Sequence, residues 1–144
     1  MSTPGYQAPD LVLVGPEHVR RYRETDGEVG YEWNGVRILL LTTTGRRTGE
    51  PRTSALIFAQ DGDDYLVVAS QGGAPQHPNW YHNLLATPEA EIQVRAERLT
   101  VRATTATEAE KPRLWEIVTK VWPNYDTYQS RTRRPIPVVV LSPV

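Results

Sequence analysis

The chain contains no cysteine, which removes disulfides, thiolate metal sites, iron–sulfur clusters and cysteine nucleophiles from consideration. It has no long apolar run: stretches such as Ile38 to Leu41 and Val138 to Leu141 span about four residues, against the ~20 that a membrane-spanning helix needs. The opening residues, Met1-Ser2-Thr3-Pro4-Gly5, lack a basic segment followed by an apolar core. A cytoplasmic protein without a secretory leader is therefore expected. An excess of one charge is missing too. With 16 basic and 17 acidic side chains the net charge is −1, too balanced for a disordered polyelectrolyte or for bulk attraction to nucleic acid. Lysine is scarce, since Lys111 and Lys120 are the only two among the 16 basic residues and the rest are arginine. Arginine favours planar, two-point binding of phosphate or carboxylate, although a GC-rich genome produces the same bias.

What is present suffices for one domain. A chain of 144 residues with 39% apolar and 23% charged side chains can bury a self-supporting core. Residues 1–35 read as an arm, rich in Pro and Gly, followed by a short helix that opens at Pro16-Glu17, carries Val19 and Tyr22 on one side and ends at Gly27. From Val36 onward, β-branched and aliphatic residues come in short runs separated by Gly, Asp and Pro. Strands are expected at Val36 to Thr44, Arg52 to Gln60, Tyr65 to Ser70, Glu91 to Val94, Leu99 to Thr104 and Ile136 to Leu141. Asp61-Gly62-Asp63-Asp64 would join two of them as a hairpin. Two helices interrupt the strands: Asn79 to Ala86, capped by Asn79 and stopped before Pro88, and Thr107 to Trp122. Thr107 and Glu110 have capping-box spacing, but Pro112 moves the regular start toward Lys111. Six strands in so short a chain predict a mainly β (α+β) protein, a small closed or partly closed barrel with a few short flanking helices, because closure protects strand edges.

Three constellations can carry chemistry. The first runs from Leu41 to Arg52 and contains Thr44-Gly45-Arg46-Arg47-Thr48-Gly49-Glu50-Pro51-Arg52. Glycines let amide hydrogens converge on an anion, and Thr hydroxyls and guanidinium groups complete its coordination. The alternative is a hairpin tip whose arginines face water. It is not a nucleotide P-loop, because Lys-Ser/Thr is absent and a strand follows where a helix is required. The second is Ala69-Ser70-Gln71-Gly72-Gly73, followed by Pro78-Asn79-Trp80-Tyr81-His82-Asn83. Such a loop can hold a planar cofactor by its ring edges, or it can be a plain connection with two aromatics in the core. His77 and His82 lack metal-ligand spacing and partners, so no metal is expected, and Ser70 lacks the elbow of a serine hydrolase. The third is Trp122 to Pro137. If Tyr125 to Arg131 is helical, Tyr125 and Tyr128 share a face one turn beyond Trp122, as an aromatic wall with two phenols or as core packing. Aromatics beside arginines also suit single-stranded nucleic acid, but the balanced charge argues against it.

Taken together, Thr43-Thr44-Gly45-Arg46-Arg47-Thr48-Gly49, Ala69-Ser70-x-Gly72-Gly73 with Pro78-x-Trp80-Tyr81-x-Asn83, and Tyr125-x-x-Tyr128-Gln129-x-x-Thr132-x-Arg134-x-Ile136-Pro137-Val138 resemble the deazaflavin-dependent nitroreductase family of actinobacteria. The resemblance extends from about Val36 to the C-terminus. It implies a split β-barrel over residues 36–144 that binds coenzyme F420, a deazaflavin with an anionic phosphate and glutamate tail. By motif position it implies phosphate contacts from Arg46, Arg47 and Thr48. The strand Arg52, Thr53, Ser54, Ala55, Leu56 and Ile57 would run beneath the ring. Val68, Ala69, Ser70 and Gln71, with Asn79, Trp80, Tyr81, His82 and Asn83, would make ring and tail contacts. Trp122, Tyr125 and Tyr128 would line the substrate pocket, with Ser70 near the reacting face and Tyr125 also touching the coenzyme.

Three positions depart from the family pattern. Gln71 stands where a basic residue is common, Ala55 where Pro is common, and Trp122 where the prodrug-activating member has Tyr. The implied reaction is hydride transfer from reduced deazaflavin to an electron-poor enone, lactone or nitroaromatic compound, with a proton from Tyr128, Tyr125 or solvent. A flavin mononucleotide oxidoreductase on the same barrel and a non-catalytic deazaflavin carrier or sensor remain as alternatives. Split barrels commonly pair as homodimers, and an N-terminal arm of this kind can cover the site or touch the inner face of the membrane.

Overall fold

The computed structural model describes Pro9 and residues 13–144. Most of the expected arm, residues 1–8 and 10–12, lies outside the described residues. Helix α1 (Gly15–Thr25) has Pro16 in its first turn and ends at Asp26 and Gly27, both with positive φ. Strand β1 (Glu32–Trp33) turns back through Asn34-Gly35 into β2 (Val36–Thr44). Both turn residues have positive φ, the geometry of a tight two-residue hairpin. There follow β3 (Pro51–Ile57), β4 (Ala59–Asp61), β5 (Asp64–Val68), α2 (Asn79–Ala86), β6 (Glu89–Val94), β7 (Glu97–Thr105), α3 (Lys111–Val121), α4 (Asn124–Ser130) and β8 (Val138–Pro143). Among the described residues no helix is long and apolar enough to cross a membrane.

Every strand pairing is antiparallel, in the order β1-β2-β6-β7-β8-β5-β4, with β3 also paired to β2. Leu39 and Leu41 of β2, Ile92 of β6, Val101 of β7, Val139 and Leu141 of β8 and Val67 of β5 meet in one buried cluster around Phe58. Strands far apart in the sheet can share a core only if the sheet curls, and the result is a split barrel. Alternate residues face outward and are buried by helices. Leu114, Val118, Trp122 and Tyr125 of the α3–α4 segment cover Leu66, Val68 and Val138, while Tyr22 of α1 covers Ile38 and Leu40. This is why Ile38 to Leu41 reads as a continuous apolar run: both faces of β2 are covered.

Among the described residues there are eight strands where the sequence predicted six. The strand expected from Arg52 to Gln60 is divided at Phe58, whose N–H reaches the Arg37 carbonyl at 3.1 Å. The chain then changes partner, from β2 to β5. The other extra strand, β1, is only two residues long and depends on its pairing with Val36 and Arg37. Asn79 does not cap α2; Pro78 occupies the cap position and Asn79 is the first helical residue. The capping box before α3 does form. Glu110 N–H donates to Thr107 Oγ1 at 3.2 Å, Thr107 N–H donates to Glu110 Oε1 at 3.1 Å, and the helix starts at Lys111.

Tyr22, fully buried, ties α1 to the barrel through its hydroxyl, which donates to the Ile38 carbonyl at 2.9 Å and accepts from Arg95 N–H at 2.8 Å. Tyr22→Phe leaves those two backbone groups unpaired. It should lower stability by about 1–3 kcal/mol, read as a reduced urea midpoint at unchanged slope.

Candidate active site

β3 is the floor of a cleft with a basic end and an apolar end. At the basic end, the β2–β3 turn is closed by Gly45 N–H to Glu50 O and Gly49 N–H to Gly45 O, both 2.8 Å. Arg46, Arg47, Thr48 and Arg52 line a cavity of about 400 Å³ there, with Thr53 and Ser54 of β3 and with Asn79, Trp80 and Asn83 of α2. Asn83, 3% exposed, organises this end. Its Oδ1 accepts from both the backbone N–H and the guanidinium of Arg46, at 3.1 and 3.0 Å, and its Nδ2 donates to Thr43 Oγ1 at 3.1 Å. Arg46 also reaches Asn79 Oδ1, and Arg52 reaches Thr48 Oγ1, each at 3.5 Å.

Among the described residues the ion pairs are Arg20 with Glu17 and Glu24, Arg21 with Glu17, and Arg113 with Asp61. None involves Arg46, Arg47 or Arg52. Three guanidinium groups sharing one cavity without a carboxylate give it a positive potential that favours an anion.

The floor continues as Ala55, Leu56 and Ile57 into a second cavity of about 350 Å³. Val68, Ser70 and Gln71 form part of its wall, and Trp80 lines both cavities. Trp122, Tyr125 and Tyr128 complete the aromatic side. Trp122 Nε1–H points to the Tyr128 hydroxyl at 3.4 Å, and the Tyr125 and Tyr128 rings meet nearly edge to face at 6.1 Å. Tyr125 is 5% exposed, and burial, with the Tyr128 phenol as a lesser cause, pushes its hydroxyl far above the ordinary range. No charged side chain lines this cavity among the described residues.

The loop between β5 and α2 is held in an unusual conformation. Gln71, Gly72 and Gly73 all have positive φ. At Gly73 a Cβ would come within 2.5 Å of the Tyr128 carbonyl oxygen, so only glycine lets the loop meet α4. Arg134 then staples it, donating to the carbonyls of Ala74 at 2.9 Å, Ser70 at 2.8 Å and Ala69 at 3.2 Å, and to His77 Nδ1 at 2.9 Å. Because Nδ1 accepts, the neutral His77 ring carries its hydrogen on Nε2. Burial, with the charge of Arg134 and a smaller contribution from His82, holds the His77 pKa below the ordinary histidine value.

Three of the residues expected at the site lie off the cleft. Ala69 is fully buried in the barrel core and takes part through its carbonyl. Tyr81 packs into the same core and pairs its hydroxyl with Thr105 Oγ1 at 2.8 Å. His82 meets His77 edge-on, ring centroids 5.7 Å apart. Conversely, Leu13, Val14, His18 and Trp33 line the apolar cavity without having been expected there. Trp33 Nε1–H donates to the Leu13 carbonyl at 2.8 Å, holding the end of the arm against the site. A signal for His18 existed: it stands one helical turn before Tyr22, and the two are the buried pair of α1. Arg134 carried no such signal, since its partners lie some 60 positions away along the chain.

Fold and cavities together describe a split barrel whose open strand runs from a basic cavity to an apolar, aromatic one. The model of the F420H(2)-dependent quinone reductase family matches residues 15–143, and this chain belongs to that family. An F420H(2)-dependent quinone reductase of Mycobacterium tuberculosis is 49% identical over 129 residues, 87% of each chain. A solved F420-H2 dependent reductase is 35% identical, with a TM-score of 0.68 over 73% of this chain and 93% of that one. A solved domain-swapped dimer is 32% identical, with a TM-score of 0.71 over 86% and 96%. The haem storage protein of Vibrio cholerae, 16% identical with a TM-score of 0.56 over 87% and 89%, shares the fold alone. The protein is an F420-dependent oxidoreductase, and reduced coenzyme F420 is its cofactor.

A histidine kept neutral by the fold makes stability depend on pH. The folded pKa of His77 lies below the unfolded value of about 6.5, so below that pH the unfolded chain binds the extra proton. Stability should therefore fall as pH drops through that region. His77→Gln, which keeps an acceptor for Arg134, should flatten part of the decline in denaturant midpoints measured across it.

Proposed function

We propose that the cleft holds reduced coenzyme F420 along β3 and that the protein reduces a quinone, or a related electron-poor acceptor, in the apolar cavity. One observation carries this reading: a single cleft runs from three arginines without carboxylate partners to an uncharged aromatic cavity. The donor set fits the coenzyme, with Arg46, Arg47, Thr48 and Arg52 toward the phosphate and tail. Thr53, Ser54, Ala55, Leu56 and Ile57 form the floor, and Val68, Ser70, Gln71 and Trp80 the ring wall. Asn79 and Asn83 act by aiming Arg46, and Ala69, Tyr81 and His82 by seating the loop and α2. Residues 36–144 form the binding unit, and Leu13, Val14, His18 and Trp33 close the apolar cavity over it.

When bound, the reduced coenzyme supplies a hydride. The protein's task is to hold the acceptor in register and keep water out. Trp122, Tyr125 and Tyr128 supply a flat apolar wall for a planar acceptor. The hydroxyls of Ser70 and Tyr128 serve the oxygen on which negative charge builds, and one such donor contributes about 2.7–4 kcal/mol at most. Tyr128 is the more suitable phenol, because burial makes Tyr125 reluctant to share its proton. The family description favours a quinone; enones, lactones and nitroaromatics share the electron-poor π system.

Anaerobic oxidation of reduced F420 should be fast with a naphthoquinone and slower with an enone or a nitroaromatic. Rates no higher than the enzyme-free control for all three would make the protein a coenzyme carrier. Replacing Arg46, Arg47 and Arg52 together by Gln should weaken coenzyme binding by at least ~10-fold and flatten its salt dependence. Tyr128→Phe should lower kcat by up to ~10²–10³-fold while the coenzyme Kd stays unchanged.

A further inference from the structure

His18 lies on α1 in the wall of the apolar cavity and is 4% exposed. Its Nε2 meets the Gly30 carbonyl oxygen at 2.7 Å. A carbonyl only accepts, so Nε2 carries a hydrogen and donates it. Gly30 permits this approach: its φ is +98°, and a Cβ there would come within 2.9 Å of the imidazole Cδ2. With the Cδ2–Nε2 edge against Gly30, Nδ1 lies on the other side of the ring. No polar atom among the described residues meets Nδ1, yet no buried side-chain nitrogen there is sealed off without a partner. A lone pair with neither a partner nor full burial, on a side chain that lines the cavity, is available to a ligand there. One nitrogen anchored to a fixed acceptor and the other presented to a ligand is the arrangement of a general acid–base.

We propose that His18 is a catalytic residue that protonates the acceptor through Nδ1, an inference that rests on the cavity being the quinone's. In the imidazolium form both nitrogens donate, Nε2–H to Gly30 and Nδ1–H to a quinone oxygen. Reduction of a quinone to its hydroquinone takes one hydride and one proton. The hydride brings both electrons from the reduced coenzyme and one O–H bond forms. The other oxygen, now negative, takes the Nδ1 proton as that N–H bond breaks. The imidazole regains a proton from solvent, which receives the one released as the coenzyme is oxidised.

The hydroxyls of Ser70, Tyr125 and Tyr128 share the cavity with His18. Tyr22, on the same helix, directs its hydroxyl to Ile38 and Arg95. Glu17, Arg20 and Arg21 pair with one another on the exposed side of α1, and Glu32 of β1 is exposed. No carboxylate lines the cavity among the described residues.

Two measurements test this. In the first, kcat/KM for a naphthoquinone is measured at saturating reduced coenzyme. His18→Gln should be slower by about 10²-fold or more, with coenzyme Kd unchanged. In the second, protein labelled with nitrogen-15 at histidine is saturated with oxidised coenzyme and titrated with α-naphthol, a phenol that accepts no hydride. The His18 Nδ1 signal, identified by its absence in His18→Gln, should move as its lone pair takes the phenolic O–H, while those of His77 and His82 stay. A wild-type rate in His18→Gln, or an unmoved Nδ1 signal, overturns the proposal. Failure of the wild-type protein to oxidise the reduced coenzyme with the quinone overturns the functional reading instead, and the titration still decides whether His18 faces the ligand.

Discussion

The change of strand partner at Phe58 is the constraint on which the rest depends. Up to Ile57 the chain is bonded to β2, and from Ala59 it is bonded to β5. The buried Phe58 ring at that corner joins the core shared by five strands. One consequence is the curl of the sheet. Another is that β3 pairs with β2 alone, leaving two exposed and five half-buried residues along the mouth of the barrel. An unpaired edge is ordinarily an aggregation liability. Here it is the floor of a cleft, walled by α2 and the loop preceding it and closed by the segment around α1.

The two ends of that floor differ in how their polar groups are satisfied. At the basic end, Asn83 spends its acceptor on Arg46 and its donor on Thr43, so an arginine is aimed without being neutralised. Positive charge that no carboxylate of the described residues balances is left open at this end. At the apolar end, Arg134 satisfies four acceptors of the Ala69–His77 segment. Its charge goes into holding backbone rather than ligand. Arginines from one short sequence thus do opposite jobs, and burial and partners decide which.

Much of the fold was legible. The boundaries of β2 and α2 and the capping box before α3 follow from local patterns that no tertiary contact overrides: β-branched runs, a Pro after the helix, and Thr107 with Glu110. The partner change at Phe58 was not legible, because a strand entering a barrel corner keeps the same alternating texture on both sides of it. Nor was β1, since a pair of residues leaves no periodicity. Asn79 looked like a cap by residue type, but Pro78 preceding it already supplies the extended backbone that a cap position needs.

By itself the sequence determined the chemistry on offer: a Gly-bounded arginine turn, a Ser-Gly-Gly loop, a Trp–Tyr wall, and the absence of thiols. The order of those motifs was enough to reveal dependence on a deazaflavin. Only the tertiary structure decided that the three meet along one strand, that Arg134 serves the loop, and that His18 and Trp33 close the cavity from a segment far from any motif. The physical reason is that spacing encodes contacts within a helix or strand. Curling a sheet instead brings together residues tens of positions apart, through buried surface that no local pattern records.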